Sequence, residues 1–224
     1  PIRVAPVAAA ALSADADDLV LILPADHDIA DLGAFHRAIL AGAKAAKAGS
    51  VVTFGIIAET PATGYGYIEA AEKSGDVVDV VRFVEKPDLE TAKSYIASGG
   101  FFWNAGIFLF CASDMLAAFE THAPNILRTV RAAMPQQQGS GVAVLEKAAF
   151  RDCRSESVDY AIMEHQQKLK VVPVEMGWSD VGDYQALWEL SPKDENSNVA
   201  IGDVRIVNCR NCYVRADGQA LSVS

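Results

Sequence analysis

The chain has 224 residues, 51% hydrophobic and 21% charged, enough to bury a substantial core as one large domain or a domain with an appendage. A formal net charge of -10 argues against a general nucleic-acid or anionic-membrane surface, since such partners would be repelled at long range, and requires that any anionic substrate be held by local cations or bound metal. No apolar stretch approaches the roughly 20 residues of a bilayer span, and the start carries no basic segment leading into an apolar run, so the expected location is the cytoplasm.

Leu19 to Leu23 is a continuous apolar run ending in Pro24, Ala25, Asp26 and His27. It predicts a strand buried on both faces that delivers polar residues at its C-terminal end, where open α/β sheets place ligands. Asp31 to Lys47 spaces Leu32, Phe35, Ile39 and Leu40 at helical intervals and leads into a strand over Val51 to Ile57, which implies a parallel crossover. After the turn-rich Thr60 to Gly64, strands are predicted over Tyr65 to Ala71 and Val77 to Val84, a helix over Leu89 to Ala97, and a strand over Phe101 to Phe110. Helical patterns run from Ala112 to Met134, with Pro124 placed to open a second helix, and again over Val158 to Glu164. A strand over Leu169 to Val174 precedes the loop Gly177 to Gly182, and a helix resumes over Tyr184 to Leu190. Beyond Asp194, short strands over Val204 to Val207, Cys212 to Val214 and Leu221 to Val223 alternate with polar turns. The expected organisation is a core over 1–193 and a β appendage over 194–224.

Several residues carry side chains suited to chemistry. Asp26 directly follows an apolar strand, where a carboxylate binds Mg²⁺ while substrate phosphates supply further oxygens; a turn or helix-cap role for Asp26 and His27 is the alternative. Asp180, bracketed by Gly177 and Gly182 after another predicted strand, could supply a second carboxylate to the same ion. Glu85 and Lys86 end a strand and are stopped by Pro87, so an acceptor for sugar hydroxyls and a cation for phosphate are expected on opposite faces near one rim; a surface ion pair is the bland reading. Gly64 and Gly66 flank Tyr65 and would allow positive φ and close backbone approach to a ligand, or a plain turn. Asn104, with Trp103, Ala105 and Gly106, interrupts an apolar strand, and its amide needs either a ligand hydroxyl or a bulge to satisfy it.

Asp159 and Glu164 are read as structural, behind a capping serine in Ser155 to Val158. His36, His122 and His165 lie on predicted helices with no partner at ligand spacing. Of the four cysteines, Cys111, Cys153, Cys209 and Cys212, only the last two form a C-x-x-C pair, and with no second pair to complete a zinc site all four are read as reduced thiols.

Six strings occur in order: L-P-A-D-H at Leu23 to His27, T-G-Y-G-Y-I at Thr63 to Ile68, F-V-E-K-P at Phe83 to Pro87, W-N-A-G-I-F at Trp103 to Phe108, S-V-D-Y-A-I-M-E at Ser157 to Glu164, and G-W-S-D-V-G at Gly177 to Gly182. Together they resemble bacterial mannose-1-phosphate guanylyltransferases. The resemblance implies an α/β, Rossmann-like nucleotidyltransferase domain with a mixed, mainly parallel central sheet and a short C-terminal β appendage. It also implies that Asp26 and Asp180 hold Mg²⁺, that Gly66, Glu85 and Asn104 contact the mannose, within a substrate-binding set that also takes in Gly64 and Tyr65, and that Lys86 binds the sugar phosphate. GTP and mannose 1-phosphate are the implied substrates, with neither nucleic acid nor membrane as partner.

The family's glycine-rich G-G-x-G-x-R loop is not found, and only Arg3, Val4, Ala5 and Pro6 stand in place of its R-N-T-A-P segment. The expectation is therefore a piece of a longer enzyme, in which Arg3 and Val4 could be an artificial junction and a further C-terminal isomerase domain could follow. A homodimer is expected, with the β-rich tail as a pairing edge. The alternatives are a transferase for another sugar or nucleotide and a non-catalytic GDP-mannose-binding regulator.

Overall fold

The computed structural model describes residues 2–72, 75–135 and 143–223. In chain order, helix α1 (Val4–Ser13), strands β1 (Leu19–Ile22) and β2 (Asp28–Ile29), helix α2 (Leu32–Lys47) and strands β3 (Val51–Ile57), β4 (Tyr67–Ala70) and β5 (Val78–Val84) come first. Helix α3 (Leu89–Ser98), strand β6 (Phe101–Cys111) and helices α4 (Ala112–His122), α5 (Pro124–Ala133), α6 (Lys147–Phe150) and α7 (Val158–Ala161) follow. Then come a 3₁₀ turn (Met163–His165), strands β7 (Leu169–Pro173) and β8 (Trp178–Ser179), helix α8 (Tyr184–Leu190), and strands β9 (Val199–Ile201), β10 (Val204–Ile206), β11 (Tyr213–Arg215) and β12 (Leu221–Val223).

Local chemistry sets several of these boundaries. The Asp31 carboxylate accepts from the Ala34 N–H at 2.8 Å and opens α2, while Lys44 and Lys47 lie in its last turn, against the negative end of the helix dipole. Asp88 caps α3 in the same way, and Gly99 ends it at φ +67°. Pro124 occupies the first turn of α5, as the sequence predicts. The predicted helix over Val158 to Glu164 is interrupted at Ile162 (φ -131°), leaving α7 and the 3₁₀ turn.

Contacts divide the chain into two units, one comprising residues 2–25 and 30–176, the other 26–29 and 177–223. The first is built on a six-stranded mixed sheet of order β1-β6-β3-β7-β5-β4. Strands β1 and β3 both run antiparallel to β6, which is inserted between them, so they share a direction, as a crossover through α2 requires. β7 pairs parallel with β3, and β4 points the same way, leaving β6 and β5 reversed. The additional β4–β6 pairing closes β6-β3-β7-β5-β4 into a ring.

Strand β1 is not buried on both faces. It is half-buried along its length and pairs at the sheet's end with β6, and Leu23 beyond it is 46% exposed. The core gathers Ile68, Phe108 and Phe110 of the sheet with Met115, Phe119, Leu127 and Val130 of α4 and α5, and with Val4, Val7, Ala8 and Ala11 of α1. The N-terminal segment is stitched to the stretch before α7: Val4 N–H donates to the Glu156 carbonyl at 3.0 Å, and Val158 N–H to that of Ile2 at 2.9 Å.

The second unit holds the short antiparallel ladder β2–β8 and two parallel ladders, β9–β11 and β10–β12. The buried Asn198 organises its turns, donating to the Asp194 carboxylate and the Cys209 carbonyl while accepting from the Cys212 N–H. Gly202, at φ +84°, passes so close to the Ala216 carbonyl that a Cβ would lie 2.1 Å from its oxygen.

Candidate functional site

In the first unit the site grows from a fork in the sheet. One edge of β6 is shared by β4, opposite Phe101 to Trp103, and by β1, opposite Phe108 to Cys111. These neighbours diverge over residues 104–107, the kind of strand-order switch where α/β sheets bind ligands. Gly106 bends β6 there at φ +68°, and the register with β3 shifts between Thr53 and Gly55.

Asn104 sits at the fork with its amide fully oriented. Its Oδ1 accepts from the Gly106 N–H at 3.0 Å and the Thr53 hydroxyl at 3.1 Å, and its Nδ2 donates to the Asp159 carboxylate at 3.1 Å. Because a backbone N–H can only donate, Gly106 settles which end of the amide is oxygen. The backbone at the Gly106 bend satisfies part of this amide, as the bulge reading expects, and the Thr53 and Asp159 side chains add partners that neither sequence reading named.

Gly66 lies alongside, its carbonyl accepting from the Asn104 N–H at 2.8 Å. A Cβ on Gly66 would stand 2.6 Å from Glu85 Oε2 and 3.4 Å from Asn104 Cβ, so the missing side chain makes the room that the Glu85 carboxylate uses. Gly66 is needed for close approach and not for positive φ, which neither it nor Gly64 adopts. Around Gly64 a Cβ would meet nothing, and Tyr65 turns its ring edgewise to Trp103 at 5.1 Å.

Glu85 has only 5% of its side chain exposed. Burial raises its pKa from 4.5 to about 7, aided by the negative charge of Asp159 and opposed by the Lys86 ammonium. Burial likewise pushes the Asp159 carboxyl up. Lys86 stands beside Glu85, its Nζ 3.9 Å from Oε1, and not on the opposite face. The alternation expected of a strand fails because β5 ends at Val84 and Lys86 adopts φ +46°.

The sequence reading passes over Thr53 and takes Asp159 as structural. Asp159 is 3% exposed and Thr53 is fully buried, and both hold Asn104. The available signal for Asp159 is a lone acid within the apolar run Val158 to Met163; Thr53, a threonine in a strand, offers none. Ser157 does cap α7, accepting from the Tyr160 N–H at 3.3 Å. Among the histidines, His36 stacks on Phe35, and His122 faces His165 at 5.6 Å between ring centroids.

The second unit contains Asp26 and Asp180. Strands β2 and β8 pair Asp28 with Ser179 and Ile29 with Trp178, and continuing that register brings both acids to the same end of the ladder. His27 Nδ1 accepts from the Trp178 indole at 3.1 Å. The Asp180 carboxylate accepts from the Gly182 N–H at 3.2 Å, and a Cβ on Gly182 would lie 3.0 Å from its Oδ2, while Val181 between them adopts φ +50°. Two hard oxygen donors at a ladder end fit Mg²⁺, which binds through one or two carboxylates and takes its other ligands from phosphates and water. Among the described residues no group of three or more His, Cys, Asp or Glu is arranged to hold a metal.

The sequence profile described as "Nucleotidyl transferase" matches residues 4–197. The chain belongs to the nucleotidyl transferase family. This nucleotidyl transferase chain is 43% identical over 211 residues to the alginate biosynthesis protein AlgA of Pseudomonas putida, covering 92% of the chain and 44% of that protein. It is 43% identical over 222 residues to the mannose-1-phosphate guanylyltransferase of Escherichia coli K12, covering 96% and 46%. It thus spans less than half the length of these curated relatives. Among solved structures it is similar to the protein described as mannose-1-phosphate geranyltransferase from Thermus thermophilus, with a TM-score of 0.84, 29% identity, and coverage of 98% of this chain and 64% of that one. These likenesses bear out the mixed α/β nucleotidyltransferase fold. No helix among the described residues is long and apolar enough to cross a membrane.

Proposed function

We propose that this nucleotidyl transferase domain takes part in transferring GMP from GTP to mannose 1-phosphate, giving GDP-mannose and pyrophosphate. The observation that carries the reading is the convergence of Gly66, Glu85 and Asn104 at the sheet fork with the Lys86 ammonium 3.9 Å from the Glu85 carboxylate. It supports the reading because a carboxylate and an amide suited to sugar hydroxyls stand beside a cation suited to phosphate. The name of the Escherichia coli relative supplies the sugar and the nucleotide.

In this reading a phosphate oxygen of mannose 1-phosphate attacks the α-phosphorus of GTP in line, the bond to the β-phosphate oxygen breaks, and pyrophosphate leaves. No protein nucleophile takes part. Glu85 and Asn104 orient the sugar hydroxyls, Lys86 neutralises the sugar phosphate, and Asp26 and Asp180 would hold Mg²⁺. That ion, when bound, neutralises charge on the phosphates. Gly64 and Tyr65 belong to the proposed substrate-binding loop.

The test is pyrophosphate release by the full-length protein with mannose 1-phosphate, comparing GTP with other nucleoside triphosphates, with and without Mg²⁺. Release that needs GTP, sugar phosphate and metal together supports the proposal. Release with another nucleotide, or none despite GDP-mannose binding, would overturn it. A cytoplasmic homodimer completes the reading, and a monomer by light scattering would remove that part.

A further inference from the structure

One member of the proposed pocket is a buried acid. Asp159 is 3% exposed, and its Oδ1 accepts from Asn104 Nδ2 at 3.1 Å. At the opposite end of the same amide, Oδ1 accepts from the Gly106 N–H at 3.0 Å, and the single Thr53 hydroxyl proton lies between Oδ1 at 3.1 Å and the Ile107 carbonyl at 3.3 Å. The Gly106 N–H therefore assigns Oδ1 to the backbone side, and Nδ2 has one proton beyond the one given to Asp159. The amide is presented as a donor, while Glu85, a carboxylate beside Gly66, is the acceptor facing the same fork.

We infer that Asp159 is a positioning residue that holds the Nδ2 end of the Asn104 amide, whose oxygen end the Gly106 N–H sets, and thereby makes the pocket selective for a sugar phosphate whose hydroxyl accepts from Asn104 while another donates to Glu85. This rests on the proposed sugar-phosphate reading of the fork. The physical reason is asymmetric. Without the Asp159 oxygen, Nδ2 loses a buried acceptor, and the amide plane is held only through the bonds at its oxygen end. Burying an acid is costly; here the carboxyl takes bonds from the Ser157 side chain and its own N–H as well as from Asn104, while Ser157 itself caps α7 through the Tyr160 N–H. Asp159 does not touch the reacting atoms in this role.

The test uses the full-length protein, the variants Asp159→Ala and Asp159→Asn, and calorimetric binding of mannose 1-phosphate, GTP and a set of monodeoxy mannose 1-phosphates. Asp159→Ala is expected to weaken mannose 1-phosphate by at least about tenfold while leaving GTP within about twofold. The monodeoxy analogue that the wild type rejects most through Asn104 should lose much of its disadvantage in Asp159→Ala, because an amide no longer held at its Nδ2 end distinguishes it less. Asp159→Asn keeps an oxygen that can accept from Asn104, so it should recover most of the affinity and the discrimination.

A purely structural role would instead lower the melting temperature and weaken both ligands alike without altering discrimination among the analogues, and that result overturns the inference. Wild-type protein that binds mannose 1-phosphate, with Asp159→Ala indistinguishable from it, overturns the positioning role alone. Wild-type protein that binds no mannose 1-phosphate overturns the pocket reading beneath it.

Discussion

Replacing Glu85 with Gln separates the shape of the pocket from the cost of holding a charge in it. The Glu85 side chain is 5% exposed, and its pKa rises from 4.5 to about 7, chiefly through burial and then through the charge of Asp159. A raised carboxyl pKa means that the folded state keeps its proton to higher pH than the unfolded state does. The stability held below about pH 4.5 is therefore lost as pH rises through about 7. The gap of about 2.5 pH units corresponds to about 3 kcal/mol, most of it lost between about pH 5 and pH 8. Gln keeps the length and planarity of the side chain without the charge. It forfeits the Lys86 contact, which is long at 3.9 Å and involves a half-exposed ammonium, so that loss stays within about 1 kcal/mol. Urea unfolding of wild type and Glu85→Gln across pH 5 to 8 should show the variant gaining on the wild type as pH rises, reaching about 3 kcal/mol at the upper end. The same variant should bind mannose 1-phosphate more weakly. A stability difference that is flat with pH, or a wild type that gains on the variant, would refute the reasoning.

Gly66→Ala places a methyl 2.6 Å from Glu85 Oε2 on a backbone that accepts alanine, so the carboxylate must shift. Affinity for mannose 1-phosphate should drop by about tenfold or more in calorimetry, and undiminished binding would exclude the packing role. Lys86→Ala should weaken mannose 1-phosphate far more than GTP, and equal losses would count against Lys86 as the phosphate ligand. Val181→Asn should stabilise the protein by about 1 kcal/mol in thermal unfolding, because Asn tolerates the left-handed conformation (φ +50°) better than a β-branched residue does; a lowered melting temperature would show that the valine side chain packs to greater advantage.

Much of the fold was legible where a local rule decided it. The caps at Asp31 and Asp88, the proline opening α5 and the apolar run of β3 set element ends within a residue or so of the sequence reading. Helix α1 escaped because its Val and Ala residues are apolar on every side, giving no 3.6-residue period, and its helical state is tied to packing on α4 and α5 and to the bonds at Glu156 and Ile2. The insertion of β6 between β1 and β3 was equally hidden, since the parallel crossover reads the same with or without an intervening strand. In the site, motif strings pointed to Gly66, Glu85 and Asn104, which do meet. Thr53, unremarked in the sequence, and Asp159, within a motif string but read as structural, join the site through contacts made at sequence separations of 51 and 55 residues.

Backbone strain is the part of the site that composition could not reveal. Five described non-glycine residues adopt positive φ: Lys86, Val181, Ser197, Asn208 and Asn211. The last three are polar residues in turns of the second unit, and asparagine is accepted there at little cost. Lys86 and Val181 are not of that kind, and each directly follows an acid, Glu85 and Asp180. Strain of this sort persists where the surroundings enforce it, and it points from an observed outlier toward function. At Lys86 the consequence can be read directly, because the left-handed residue breaks the alternation of β5 and brings the ammonium to the same rim as the Glu85 carboxylate. Glycine at position 86 would relax the backbone but remove the cation, just as glutamine at 85 would relieve the buried charge but remove the acceptor. Stability and the proposed chemistry therefore pull in opposite directions at two successive residues.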